Sequence, residues 1–237
     1  MSLYKRFKHV NILKIDLSII FLTYLCSGTL LLCFVGGFAE ALHQPFITLT
    51  ELLWTPQEIG EISAYRIPVI TRCHDGSIVA FSEARKYNSG DAGPKFIAFR
   101  RSKNGGNSWS TTRYLADDWT HPSGMSLGAV VVDGEQNTLI LQYVYCAHLH
   151  CPDKNNTAIQ YQLRSNDCGS TWSEPIDLAE ANPRLFNWTW AAGPGYGVQK
   201  KVHPHKGRLV VCGHTIGGPM ELSCIYSDGK YKVISQD

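Results

Sequence analysis

The sequence predicts an all-β chain, and three observations carry that prediction. From Ala64 onward, short runs rich in β-branched and aromatic residues alternate with Gly, Asp, Asn and Ser turns. No helical apolar period interrupts them. An octet, Ser102-Lys103-Asn104-Gly105-Gly106-Asn107-Ser108-Trp109, returns 63 positions later as Ser165-Asn166-Asp167-Cys168-Gly169-Ser170-Thr171-Trp172. Four short antiparallel strands per unit at fixed spacing point to propeller blades. One blade cannot bury both faces alone, so neighbouring units must stack.

Residues 1–41 read as a targeting segment. Lys5, Arg6, Lys8 and Lys14 make a basic start, Leu17 to Phe38 is apolar and uncharged, and Ala39-Glu40-Ala41 offers a small-x-small cleavage site. The apolar run has 22 residues, enough to span a bilayer, and Ser27-Gly28 divides it. Both a cleaved signal peptide and a retained anchor, with membrane contact through residues 17–38, fit this pattern. The segment holds four Lys/Arg and two Asp/Glu, so the remaining chain carries 18 of each. That neutrality argues against a nucleic-acid partner.

Residues 42–237 are expected to form the folded part, with blades at about 64–115, 124–180 and 193–237. Leu42–Ser63 carries no clear period. Tyr65–Thr71 is the first strand, followed by a turn at Cys73–Ser77, a second strand at Ile78–Glu83, a polar loop at Ala84–Pro94 and a third strand at Phe96–Arg101. In the second unit the strands are Leu127–Val132, Leu139–Tyr145 and Ala158–Leu163. In the third they are Gly197–Val202, Leu209–Cys212 and Leu222–Tyr226. The third octet starts at Ser227-Asp228-Gly229, but no tryptophan follows.

The octet is a turn device. Asp167 can accept hydrogen bonds from backbone N–H groups further along, Gly169 can adopt positive φ, and Trp172 can pack between strands. In the first copy Ser102, Asn104, Gly106 and Trp109 take the same places. The octet lacks the dense acidic ligands of a calcium loop.

Cysteines are read as disulfides rather than as a metal site. Six remain after residue 41: Cys73, Cys146, Cys151, Cys168, Cys212 and Cys224. An even count in a secretory chain favours pairing. Cys146 with Cys151, and Cys212 with Cys224, flank hairpin connections and are the expected bridges. Cys73 and Cys168 remain over. No Cys-x-x-Cys pair accompanies His148, His150, His203, His205 or His214, so no metal and no cofactor are expected. Asn155-Asn156-Thr157 and Asn187-Trp188-Thr189 are glycosylation sequons, which also fit the secretory route.

One strand carries the chemistry. Ala64-Tyr65-Arg66-Ile67-Pro68-Val69-Ile70 sets an arginine in an apolar strand stopped by proline. Pro68 denies one donor to any ladder, so Arg66 is expected near a strand start or edge, aimed away from the packed interior. Arg85 and Asp91 follow in the next connection. Taken singly, each has a bland reading: a surface ion pair for Arg66 or for Arg85 with Lys86, and an ordinary turn for Asp91.

Tyr65-Arg66-Ile67-Pro68 followed by two such octets resembles the sialidase (neuraminidase) family. Ser82-Glu83-Ala84-Arg85-Lys86, Lys95–Ser102, Cys146-Ala147-His148 and Gly207–His214 look most similar to the animal lysosomal type. The resemblance spans about Ile47 to Asp228. It implies a six-bladed β-propeller, of which about three blades are present. It also implies a retaining exo-α-sialidase that releases terminal sialic acids from glycoproteins, oligosaccharides and gangliosides. Arg66 and Arg85 match substrate-binding arginines, whose forks suit a planar carboxylate. Asp91 matches the general acid/base. Lysosomal localisation, in the lumen or at the membrane, and a carboxypeptidase-type protective partner are further implications.

The family's tyrosine nucleophile, its activating glutamate and two further clamp arginines find no match among these residues. The expectation is therefore of a truncated chain, inactive alone. The alternative is a non-catalytic glycan-binding propeller module or a decayed paralogue.

Overall fold

The computed structural model describes residues 50–57, 61–120, 123–146, 158–181, 190–216 and 221–228. The chain divides into two compact units, Met1–Thr48 and Leu49–Asp237, and every described residue belongs to the second. The signal or anchor segment, Cys151 and the sequons at Asn155 and Asn187 lie outside the described residues. Among the described residues no helix is long and apolar enough to cross a membrane.

Three antiparallel sheets follow one another along the chain. The first has the order β1 (Ala64–Arg72), β2 (Ile78–Arg85), β3 (Lys95–Ser102) and β4 (Arg113–Asp117). The second runs β5 (Met125–Asp133), β6 (Thr138–Tyr145), β7 (Ile159–Ser165) and β8 (Ile176–Asp177). Central strands β2 and β6 are buried almost throughout, which is why Leu139–Val144 reads as an apolar run broken by Gln142 alone rather than as an alternation. Strand β1 lies at a sheet edge. Its ladder to β2 breaks between Arg66 and Val69, where Pro68 has no donor to offer, and Ile67 takes a positive φ of 56°.

The third sheet departs from the expected inner strand at Gly197–Val202. Only β11 (Val198–Gln199) pairs there, with β12 (Leu209–Thr215). The same edge of β12 continues with β9 (Trp190–Ala192). Between these two pieces the chain bulges out. It pairs as β10 (Gly195–Tyr196) in parallel with Ala129 and Val130 of β5. Gly193-Pro194-Gly195 causes the split, because Pro194 cannot donate to a ladder and Gly193 holds φ at 66°. Strand β13 (Leu222–Ser227) completes the sheet. A four-residue helical turn, α1 (Leu178–Ala181), was also not expected; the Asp177 carboxylate caps it by accepting from the Ala179 N–H at 2.7 Å.

Sheets pack face to face in sequence. Val79, Phe81, Ile97 and Phe99 of the first meet Leu127, Val130, Leu139 and Leu163 of the second. Trp172 closes this layer edge-on against Phe81 and Phe99, with centroids 6.1 and 5.7 Å away. Ala129, Val131 and Ile140 then pack on Trp190, Leu209, Val211 and Ile225 of the third sheet.

The octets form matching turns. In the second, Asp167 accepts from the Thr171 N–H at 2.8 Å, the Thr171 hydroxyl at 2.7 Å and the Ser165 hydroxyl at 2.8 Å. Chiefly the Thr171 backbone donor holds the Asp167 carboxyl down to a pKa of about 2. In the first, Asn104 accepts from the Ser108 N–H at 2.9 Å, and the Gly106 N–H reaches Ser102 Oγ at 2.9 Å. Gly169, with φ of 88°, is required twice over, since a Cβ there would stand 2.2 Å from Phe99 Cζ.

The turn of the second octet is also the seam to the first sheet. Arg101 donates to the Asp167 carbonyl at 3.0 Å, Arg113 donates to the Gly169 and Ser170 carbonyls, and Arg101 also pairs with Asp75. Cys73 and Cys168, left over by the sequence, form a disulfide across this seam with a Cα separation of 5.8 Å. Cys212 and Cys224 are bonded at directly opposed positions of β12 and β13. Cys146 is disulfide-bonded as well, and its partner lies outside the described residues.

Candidate active site

The three residues singled out from the sequence stand together at one end of the first sheet. Arg66 sits on β1 opposite Glu83 of β2, and Arg85 ends β2 opposite Ala64. The β2–β3 loop then carries Asp91 back over both. Asp91 Oδ1 lies 2.8 Å from Arg85 Nη2 and 3.7 Å from Arg66 Nη1. Both guanidinium groups also donate to the Ser89 carbonyl, at 2.6 Å from Arg85 and 3.1 Å from Arg66. The Arg66 side chain is 49% exposed and that of Asp91 68%, whereas Arg85 is sealed at 3%. That burial removes the solvated-pair reading of Arg85. Lys86 turns elsewhere, to Asp117 and to the Trp119 carbonyl.

A buried shell beneath the loop fixes this arrangement. Glu83 Oε2 accepts from Arg85 Nε at 3.0 Å and Nη2 at 2.7 Å, and Glu83 Oε1 accepts from the Leu127 N–H of the next sheet at 3.0 Å. One carboxylate thus orients Arg85 and ties two sheets together. Lys95 has no solvent exposure and donates from Nζ to the Gly93 carbonyl at 3.0 Å. Gly124 abuts the same carbonyl, leaving no room for a Cβ, which would lie 2.0 Å from Gly93 O. The backbone N–H groups of Lys95 and Met125 both donate to Asp118, at 2.8 and 2.9 Å.

Burial pushes the Lys95 ammonium below the ordinary lysine pKa, against the pull of Glu83. It pushes the Asp118 carboxyl above the usual carboxylate value, against the two backbone donors. The sequence reading missed Glu83, Lys95 and Asp118. For Glu83 the available signal was its place in the quoted Ser82–Lys86 segment.

A cavity of about 280 Å³ opens beside the loop. Its wall takes Glu83, Arg85 and Asp91 from the first sheet, Ser126 and Leu127 from the second, and Ala191, Pro194, His214 and Ile216 from the third. All three sheets therefore contribute. Among the described residues no tyrosine lines it. Such a wall can bind an anion at Arg85, present a carboxyl group to a bound molecule and pack an apolar substituent opposite. Among the described residues one group has metal-ligating atoms in reach of one another, namely Cys73, His74 and Cys168, and its two sulfurs are bonded to each other.

Stacked sheets of four and five strands, with an arginine pair and an acid at one end of the first, are the class of all-β repeat architecture that sialidase propellers share. The BNR repeat-like domain family matches residues 76–233, and the chain belongs to it. It is 30% identical over 196 residues to a sialidase of Micromonospora viridifaciens, covering 75% of this chain and 30% of that one. An exo-alpha-sialidase of Arthroderma benhamiae is 30% identical over 181 residues, covering 65% of this chain and 43% of that one. Among solved structures, the Hadza microbial sialidase Hz136 superposes with a TM-score of 0.59 at 25% identity, over 71% of this chain and 36% of that one. The chain spans less than half the length of each of these relatives.

Proposed function

We propose that this chain carries the carboxylate-binding and acid/base side of a retaining exo-α-sialidase site, in the first three blades of a six-bladed ring. One observation carries the reading: Asp91 pairs with both Arg66 and Arg85, and Arg85 and Asp91 line a cavity walled by all three sheets. Two guanidinium groups suit the carboxylate of a terminal sialic acid. Asp91 is exposed and carried on a loop, as a group that must reach a glycosidic oxygen needs to be. Gangliosides, oligosaccharides and glycoproteins are the proposed substrates. The bonded cysteines support a secretory or lysosomal setting; a carboxypeptidase-type partner is proposed from the family resemblance alone.

A retaining mechanism also needs a nucleophile on the opposite face of the sugar. The cavity described here supplies none from tyrosine. The 237 residues alone are therefore proposed to bind without turnover. A fluorogenic sialoside at acidic pH tests this, using the chain, the chain extended to the relatives' length, and Asp91→Asn in each. Turnover is expected only in the extended form and is lost with Asp91→Asn. Turnover by the 237 residues that vanishes with Asp91→Asn refutes the division of the site. A lack of turnover at either length, with sialoside still bound, supports a glycan-binding module.

A further inference from the structure

The proposed carboxylate site already holds a carboxylate. Asp91 lies 2.8 Å from Arg85 Nη2 and 3.7 Å from Arg66 Nη1, and the Ser89 carbonyl of the same loop takes a donor from each guanidinium. Arg85 has a second anchor in Glu83, which uses its Nε and Nη2. Its remaining contacts go to the loop. An acidic ligand arriving at these arginines thus meets donors that the loop occupies.

We propose that Asp91 is an internal occupant of the arginine pair, and that an incoming carboxylate exchanges places with it. The inference rests on the sialidase-type reading of the site and adds a step to it. Ligand binding breaks the Asp91 pair with Arg85 and Arg66, and the ligand's carboxylate takes over those donors. The freed Asp91 then stands beside the bound sugar rather than beside two positive charges. The geometry suits such release. Asp91 is 68% exposed and is carried on the β2–β3 loop. Glu83 keeps Arg85 in place throughout, because its contacts do not involve the loop. Lys95 and Gly124 hold the loop at Gly93, so the displacement pivots on the stretch between Arg85 and that anchor. The exchange makes the acid available only when an anionic ligand is present.

A competing internal ligand weakens the external one. Asp91 is exposed but Arg85 is sealed, so the pair is worth at least the roughly 0.2–1 kcal/mol of a fully exposed one, and removing it strengthens ligand binding by about 1.5–5-fold or more. The experiment measures binding of N-acetylneuraminic acid to the 237-residue chain and to Asp91→Ala and Asp91→Asn by titration NMR at low salt. Tighter binding to both variants is expected. Glu61→Gln removes one exposed charge from the chain just before β1 and is expected to leave affinity unchanged. Equal or weaker binding to the Asp91 variants overturns the exchange while leaving the carboxylate site standing. Equal tightening by Glu61→Gln overturns it too, since the gain is then a general charge effect. Absence of binding to every protein overturns both the exchange and the site.

Discussion

Replacing Glu83 by glutamine tests the buried shell at its most loaded point. The side chain keeps its shape but loses its charge. Glu83 now accepts from Arg85 Nε and Nη2 with one oxygen and from the Leu127 N–H with the other. A glutamine has one oxygen and one NH2 group. Whichever way it turns, its NH2 faces a donor, either Arg85 or the Leu127 N–H. Breaking a buried pair by removing one partner costs about 3–5 kcal/mol. Arg85 retains Asp91 and the Ser89 carbonyl, so the low end, about 3 kcal/mol, applies here. For a unit of this size that corresponds to a fall in Tm of about 6–12 °C. Thermal unfolding followed by near-UV circular dichroism reads it directly. The double change Glu83→Leu with Arg85→Met removes both charges and should cost less than Glu83→Leu alone. A Tm for Glu83→Gln within about 1 °C of the parent would refute the claim that this carboxylate joins two sheets.

Three further outcomes follow from the same geometry. Asp118 has its folded pKa raised by burial, so its contribution favours folding below the ordinary value and is lost as pH rises through the raised one. Asp118→Asn, which also disturbs one of two backbone contacts, should lower stability by about 1–3 kcal/mol yet flatten its decline from pH ~4 upward; an unchanged slope in urea titrations at several pH values contradicts this. Cys73 and Cys168 close a loop of 95 residues, so Cys73→Ser with Cys168→Ser should cost about 4–5 kcal/mol, and a urea midpoint that does not move argues against the bridge. Lys95→Met frees the Gly93 carbonyl and should speed amide exchange across Tyr87–Gly93, with strands β2 and β3 unaffected; equal loop exchange in variant and parent would remove Lys95 as the anchor.

Much of the fold was legible because its signals are local. Strands β2, β3, β5 and β6 follow from apolar runs bounded by Gly, Asp and Asn, and the two octets announce the repeat through residues that make the same turn. What was not legible depends on distance or on burial of charge. Cys73 and Cys168 meet across a seam between sheets, which spacing along the chain cannot indicate. Strand β10 leaves its own sheet to pair with β5, a choice set by the Gly193-Pro194-Gly195 break and by the neighbouring edge. Arg66, Arg85 and Asp91 carried a motif, and the structure brings the three side chains together. Glu83, Lys95 and Asp118 were passed over, because a charge in or beside a strand reads as solvent-facing until its buried partners are known. Asp91 lying on the arginines was equally out of reach, since it depends on how the loop folds back.

The central claim is that Arg66 and Arg85 recognise a carboxylate, and the most direct measurement compares an acid with its ester. Saturation-transfer NMR on the 237-residue chain, with N-acetylneuraminic acid and with its methyl ester, isolates that single group. Arg66 is half exposed, so Arg66→Ala removes one recognising side chain from the surface with little loss of packing. The account predicts transfer to the free acid, little to the ester, and a clear loss for the acid in Arg66→Ala. Equal transfer to acid and ester, unchanged by Arg66→Ala, would contradict it.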